Sequence, residues 1–171
     1  MKRVLITGMS GSGKSSVVAT LSALGHKAVD TDDGWCEPTA DGRRQWREEA
    51  VAQLLATEDA EVLFVAGCEE NQGRFRASFD HVVLLTAPLD VLADRVRNRT
   101  GNAYGKDPAE FARFLADVRD VEPRLRAASD REIDTRMPLP DVVGALLAAV
   151  DTVDAVDGPP GTVLRPLPRT F

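Results

Sequence analysis

The chain has 171 residues, 43% of them hydrophobic and 28% charged, and a formal net charge of −6. That length suits one domain with its own buried core, and the composition excludes a disordered or fibrous chain. The acidic balance argues against a nucleic-acid groove as the main business of the protein, while leaving room for a local cationic site.

Residues 2–7 read as a short strand. Only Val4-Leu5-Ile6 follow the charged start before Thr7 and Gly8, too short an apolar run for a secretory signal or a membrane span. Next comes Gly8-Met9-Ser10-Gly11-Ser12-Gly13-Lys14-Ser15, which is G-x-x-x-x-G-K-S. Behind it Val17, Val18, Leu21 and Leu24 have helical spacing, so the motif stands between a strand and a helix, as a phosphate-binding loop must. Its glycines let the backbone curl round a polyphosphate with successive N–H groups inward, and the helix start adds partial positive charge. Gly8, Ser10, Gly11, Ser12, Gly13, Lys14, Ser15 and Ser16 are therefore the candidate nucleotide-binding residues.

The first helix ends near Leu24-Gly25. A strand over 26–30 opens into the acidic cluster Asp30-Thr31-Asp32-Asp33-Gly34. The spacing of Trp46, Ala50, Val51, Leu54 and Leu55 predicts a helix over 41–56. Residues 61–66 show little alternation, as expected of a parallel strand covered on both faces, and end at Gly67-Cys68-Glu69-Glu70-Asn71. A strand over 81–86 is followed by a helix from Pro88 through Arg99. Residues 100–106 are polar and glycine-containing, hence a loop. Asp107-Pro108 reads as a cap and first turn, with Phe111, Phe114, Leu115, Val118 and Val121 on the following helical face. A last strand over 132–135 and a last helix over 139–150 complete a domain of residues 1–150. Residues 151–171 hold four prolines and read as a loosely packed or disordered extension.

Strands alternating with helices imply an α/β fold with a parallel sheet and right-handed crossovers. Ligands of such sheets bind beyond the carboxyl ends of the strands, where Gly8, Asp32, Gly67 and Thr86 all fall. Phosphoryl transfer needs positioning and charge neutralisation there. Lys14 can bridge the β- and γ-phosphates of a nucleoside triphosphate, and Ser15 can offer its hydroxyl to Mg²⁺. The 61–66 strand provides no carboxylate until Glu69, so Asp30 is the second metal candidate, acting through water. Asp32 lies two residues on, along the same side of an extended chain, and can act as base or orienting group for an acceptor hydroxyl. Asp33 is its substitute. Arg95 and Arg99 share a helix face and can clamp the transferring phosphate; otherwise they are a basic helix end complementing its dipole. Trp35 can line an acceptor pocket, and Trp46 reads as core. Gly67 and Cys68 either contact the acceptor or belong to a polar loop without a role. Two cysteines, Cys36 and Cys68, with no CxxC, suggest reduced thiols in the cytoplasm, and nothing in their spacing with His26 and His81 supports zinc.

With these residues the chain resembles the small P-loop kinases, the group of shikimate, gluconate, nucleoside and adenylate kinases. The resemblance covers residues 2–150 and rests on Gly8–Ser15, Asp30-x-Asp32 and the Arg95–Lys106 region. It implies a three-layer P-loop NTPase fold with five parallel strands ordered 2-3-1-4-5. It also implies a lid at about 100–106 and adenine packed at Thr135-Arg136, which makes Arg136 a nucleotide-binding candidate. Lys14, Asp32, Arg95 and Arg99 are the implied catalytic set. Within the group the pattern is most similar to shikimate kinase: Val29-Asp30-Thr31-Asp32 matches its acidic motif, and Trp46-Arg47 its substrate-contacting arginine segment. Arg47 is thereby an acceptor-binding candidate. Where that enzyme has a triple glycine this chain has Gly67-Cys68-Glu69, and Val121 stands where its second carboxylate-binding arginine would. Half of a carboxylate clamp is missing, which points to a substrate other than shikimate.

The implied activity is transfer of the γ-phosphate of Mg-ATP to a hydroxyl of a small metabolite or nucleoside, by a cytoplasmic monomer or homodimer with no nucleic-acid or membrane partner. Two alternatives stay open. One is a nucleoside monophosphate kinase, for which Arg43, Arg44, Arg47, Arg74 and Arg76 are available; the other is a regulatory nucleotide-binding protein that hydrolyses ATP slowly or not at all.

Overall fold

The computed structural model describes residues 1–151, so the expected extension lies outside the described residues apart from its first. The chain runs β1 (Lys2–Thr7), α1 (Lys14–Ala23), β2 (Lys27–Asp30), β3 (Cys36–Pro38), β4 (Arg44–Trp46), α2 (Glu48–Leu55) and β5 (Val62–Ala66). A 3-10 segment (Glu70–Ser78) precedes β6 (His81–Thr86), α3 (Leu89–Asn98), α4 (Pro108–Ala128), β7 (Arg131–Asp134) and α5 (Leu139–Asp151). Among the described residues no helix is long and apolar enough to cross a membrane.

Five parallel strands form one sheet in the order β2-β5-β1-β6-β7. Numbered among themselves they read 2-3-1-4-5, as the resemblance implies. Alternate residues of the central strands face opposite helical layers, which is why their sequences show so little alternation. Val4, Ile6, Phe64, Ala66, Val83 and Leu85 pack with Val17 and Leu21 of α1 and Val142, Val143 and Leu146 of α5. On the other face, Leu5, Leu63, Val65 and Val82 meet Trp46 and the Val51, Leu54 and Leu55 side of α2. Leu84 meets Leu92 and Val96 of α3 with Phe114, Val118 and Leu125 of α4. The chain fills one side of the sheet from β1 through β5, then crosses to β6 and β7. The loop after β1 therefore sits where the winding reverses, the usual ligand crevice of such sheets.

The helix expected over 41–56 is half right. Residues 48–55 are helical, with Glu48 and Glu49 suited to its positive end. Residues 36–46 instead form an antiparallel hairpin, with Cys36 opposite Trp46 and Pro38 opposite Arg44. The turn is closed by Gly42 N–H donating to the Thr39 carbonyl (3.0 Å) and Thr39 N–H to the Arg43 carbonyl (2.9 Å). A distant side chain completes the edge: the Trp46 N–H donates to Asn71 Oδ1 (2.9 Å), and Asn71 Nδ2 donates to the Trp46 carbonyl (3.0 Å). Trp46 is fully buried as expected, but it reaches the core from a strand. Its indole N–H donates to Thr31 Oγ1 (2.8 Å), and Thr31 donates in turn to the Ala66 carbonyl (2.7 Å).

α4 begins as expected: Asp107 Oδ1 accepts from the N–H groups of Ala109 (2.8 Å) and Glu110 (3.3 Å), and Pro108 takes the first helical position.

Gly67 marks a close approach. A Cβ there would collide with Thr31 Oγ1 and lie 2.8 Å from the Trp46 ring. Gly67→Ala is expected to destabilise the fold by about 1–3 kcal/mol, the usual cost of overpacking. The measurement is the urea midpoint, which should fall without a change in slope.

Candidate functional site

The loop after β1 is shaped by how tightly it is packed from behind. At Gly8 (φ +152°) an added Cβ would overlap the Leu85 carbonyl oxygen of β6 and sit 2.7 Å from Ser12 Oγ. No side chain fits there. Ser12 N–H donates to the Met9 carbonyl (3.1 Å), and Val17 N–H to that of Gly13 (3.1 Å), turning the loop into α1. Lys14 Nζ folds back over the loop and donates to the carbonyls of Gly8 (2.6 Å) and Met9 (3.4 Å). Ser15 and Ser16 are exposed in the first turn of α1, which carries no acidic residue. Ser12 Oγ is buried without a partner, an unmet hydrogen-bonding group of the kind that marks a ligand's place. A helix N-terminus, an ammonium held only by loop carbonyls and an orphan hydroxyl together suit a polyphosphate.

Beside it, β2 ends at Asp30, opposite Ala66. Thr31 is fully buried, its N–H and its hydroxyl both donating to the Ala66 carbonyl (2.9 and 2.7 Å). That plug holds Asp30 and Asp32 at the edge of the sheet on either side of it. Asp30 Oδ1 accepts from the Asp32 N–H (3.1 Å), and its other oxygen has no partner among the described residues. Ser15 and Asp30 are both oxygen donors, the ligand type Mg²⁺ takes.

Asp32 is exposed at the mouth of a cavity of about 240 Å³ lined also by Gly34, Cys36, Glu37, Pro38 and Arg44. Arg44 Nη2 donates to the Asp32 carbonyl (2.8 Å) and lies 3.9 Å from Glu69. Burial pushes the Glu69 carboxyl above its ordinary range, against the opposing pull of Arg44. Cys36 Sγ donates to the Thr31 carbonyl (3.2 Å), and burial pushes its thiol up to about 11. Cys68 is also pushed up by burial, next to Thr7, Gly8 and Lys14 at the foot of the phosphate loop.

The cationic side of the cleft comes from α3. Arg95 Nη1 donates to the carbonyl of Gly11 (3.2 Å) and to Thr135 Oγ1 (2.8 Å), and Nη2 to the Thr135 carbonyl (2.7 Å). Arg99 donates to the Tyr104 carbonyl (3.0 Å) through Nη2, and its buried Nε has no partner. Burial lowers the Arg99 pKa from its ordinary value, partly offset by the attraction of Asp32.

A protein-family model described as an AAA domain matches residues 4–121. The chain belongs to this AAA domain family. Solved structures add the fold. A shikimate kinase from Acinetobacter baumannii, in complex with shikimate, matches with a TM-score of 0.65 at 16% identity, covering 90% of this chain and 94% of that one. A gluconokinase from Sinorhizobium meliloti matches at 0.60 and 22%, covering 92% and 98%. A sugar kinase from Janibacter sp. matches at 0.57 and 18%, covering 91% and 98%. At these identities the likeness shows the fold alone, the α/β P-loop NTPase fold. None of the curated protein sequences compared with this AAA domain protein matches it.

Within the AAA domain protein the expected site residues fall into three groups. Gly8 to Ser16, Asp30, Asp32, Cys68 and Arg99 lie along the carboxyl edge of the sheet. Arg95 and Gly67 lie there too, but occupied otherwise than expected. The Arg95 guanidinium ties the phosphate loop to Thr135 and is not a free clamp, and Gly67 is walled in by Thr31 and Trp46. A third group stands apart. Arg47 caps α2 and lines a second groove with Glu37, Glu48, Glu49 and Gln53. Trp35 packs half-buried against the hydrophobic cluster under the hairpin, and Asp33 is exposed. Arg136 is exposed and forks onto Asp134, its Nε donating to Oδ2 (2.9 Å). Cys36 and Glu37 were not anticipated as cavity residues. Asp41-Gly42 between two short β-prone runs is the hairpin signal that would have found them.

Since the thiolate is the reactive form, native Cys36 should alkylate slowly at about pH 8, faster as the pH climbs toward 11, and at least about tenfold faster at pH 8 once unfolded in guanidinium chloride. Mass spectrometry of iodoacetamide-treated protein measures this site by site.

Proposed function

We propose that this AAA domain protein moves the γ-phosphate of ATP to a hydroxyl group of a small molecule. The observation that carries the reading is the joint placement, on one edge of the sheet, of a phosphate-binding loop and a small cavity whose mouth holds Asp32. Loop N–H groups and the start of α1 would hold the phosphates. Lys14, now resting on the Gly8 and Met9 carbonyls, would swing onto the β- and γ-phosphate oxygens. Ser15 and Asp30 would hold Mg²⁺, which when bound offsets phosphate charge. Asp32 would accept the proton of the attacking hydroxyl, since an alcohol must lose it on becoming a phosphate ester. Arg99, with its uncommitted Nε, would meet the charge of the transferring group. The 100–106 segment, joined to α3 through the Arg99–Tyr104 bond, would be the lid that excludes water.

Ion pairing favours this reading over a nucleoside monophosphate acceptor. Arg43 pairs with Glu70, Arg44 with Glu69, Arg74 with Glu48 and Arg76 with Asp130. A nucleotide acceptor needs such arginines free. A purely regulatory nucleotide binder needs no acceptor cavity.

ADP release, measured with ATP and Mg²⁺ over a panel of alcohols and nucleoside monophosphates, tests the reading; it stands if an alcohol stimulates release. Asp32→Ala should lower acceptor-dependent turnover by about 10²- to 10⁴-fold with ATP affinity retained. Lys14→Ala should weaken ATP binding in calorimetry; unchanged affinity together with unchanged turnover would remove the loop from the mechanism.

A further inference from the structure

The acceptor cavity has a charge balance of its own, set by which ions are already paired. Arg43 lies 3.3 Å from Asp41 and also pairs with Glu70. Arg74 is bound by Glu48. Arg44, the one cation that lines the cavity, faces Glu69 and donates to the Asp32 carbonyl. Arg47 lies in the neighbouring groove with Glu37, Glu48 and Glu49; Glu48 is taken by Arg74, so an anion approaching Arg47 still meets Glu37 and Glu49. Arg99 is across the cleft, bonded to the Tyr104 carbonyl. The guanidinium groups on the hairpin side are thus paired with or surrounded by acids, while Arg99, facing Asp32 from across the cleft, keeps its charge for the transferring phosphate.

Asp32 and Glu37, the anions of the cavity, make no close ion pair among the described residues, although Asp32 feels the charges of Arg44 and Arg99. Glu37 lines the cavity, and the hydrogen bond its Oε1 accepts comes from the neutral amide of Gln45 (2.9 Å). The Asp32 carboxylate has no side-chain partner among the described residues, and Asp30 and Asp33 flank it. The triphosphate of a bound nucleotide would add more negative charge beside them. An acceptor bearing a carboxylate or phosphate would have to share Arg44 with Glu69, 3.9 Å away, while facing Asp32 and Glu37. Such like-charge juxtaposition is a recognised way to reject a ligand. Hydroxyl and ammonium groups meet the opposite situation, because ionised carboxylates only accept hydrogen bonds.

We propose that the acceptor is a neutral or cationic alcohol, a polyol or an amino alcohol, and that Glu37 together with the Glu69–Arg44 pair excludes anionic acceptors. This rests on the phosphoryl-transfer reading above. The cavity is small beside those that hold drug-sized ligands, which suits an acceptor of sugar size. Anionic acids of the kind named for two of the similar structures, shikimate and gluconate, fall on the excluded side.

The experiment sorts a broad alcohol panel by charge: polyols and neutral sugars, amino sugars and amino alcohols, sugar acids and sugar phosphates. Each is assayed for ADP release with saturating Mg-ATP, and kcat/KM is compared across the classes. Neutral or cationic acceptors should lead the anionic ones by about tenfold or more, the ratio set by roughly 1.4 kcal/mol of discrimination. Glu37→Gln, on an exposed strand where folding is not at stake, should raise the relative kcat/KM of the sugar acids several-fold. Arg44→Gln should lower all classes together. Leading activity on a sugar acid or phosphate, or an Arg44→Gln loss confined to the anions, overturns the charge assignment and leaves phosphoryl transfer standing. ATP binding with no stimulation by any class overturns the transfer reading, and this inference with it.

Discussion

The hydroxyl of Thr31 is the interaction on which the rest of the site depends. Buried completely, it donates to the Ala66 carbonyl at the end of β5 and accepts from the indole N–H of Trp46, in a space that exists because residue 67 has no side chain. A satisfied buried hydrogen bond contributes only about 1 kcal/mol net, whereas leaving one of its partners unpaired costs about 1–3 kcal/mol. The network therefore holds as a unit. It fixes the two aspartates on either side of Thr31, and it anchors the hairpin that walls the cavity beside Asp32. The Asn71 amide, pairing with both backbone groups of Trp46, extends the same anchoring to the 3-10 segment after β5.

A second tie runs through the other half of the site. Arg95 reaches from α3 to the phosphate loop and to the segment after β7, linking the places where phosphate and base would lie. Its neighbour one turn on, Arg99, is part-buried, and its buried Nε is left unmet, at a cost in the absence of a ligand. The two arginines share a helix face and a charge, yet one is structural and the other uncommitted. What separates them is the carbonyls within reach.

Electrostatics act here locally and not through the net charge. The formal −6 says little about the cleft, where the loop carrying Lys14 stands on the same sheet edge as a cavity lined by Asp32 and Glu37. Pairing decides which charges remain available. Of the arginines that look in sequence like an anion-binding set, Arg43, Arg44, Arg74 and Arg76 pair with Glu70, Glu69, Glu48 and Asp130, and Arg47 lies in a separate groove. Burial raises the Glu69 carboxyl and the Cys68 thiol, so each is harder to ionise than an exposed counterpart.

By itself the sequence determined the phosphate loop, the five parallel strands and most of the helices, because each is a local pattern: glycine and lysine spacing, apolar runs of strand length, an Asp-Pro cap. It determined the acidic pair at the end of β2 for the same reason. Only the tertiary structure decided the rest. Trp46 fits a helical face by spacing, but a partner 25 residues on, Asn71, holds it in a strand, and no local period records that contact. Arg47 and Arg44 are alike in composition, and hairpin register turned one toward the cavity and the other toward a separate groove. Which arginine stays free depends on carboxylates far away along the chain, since ion pairing is set by distance in space and not by position in sequence.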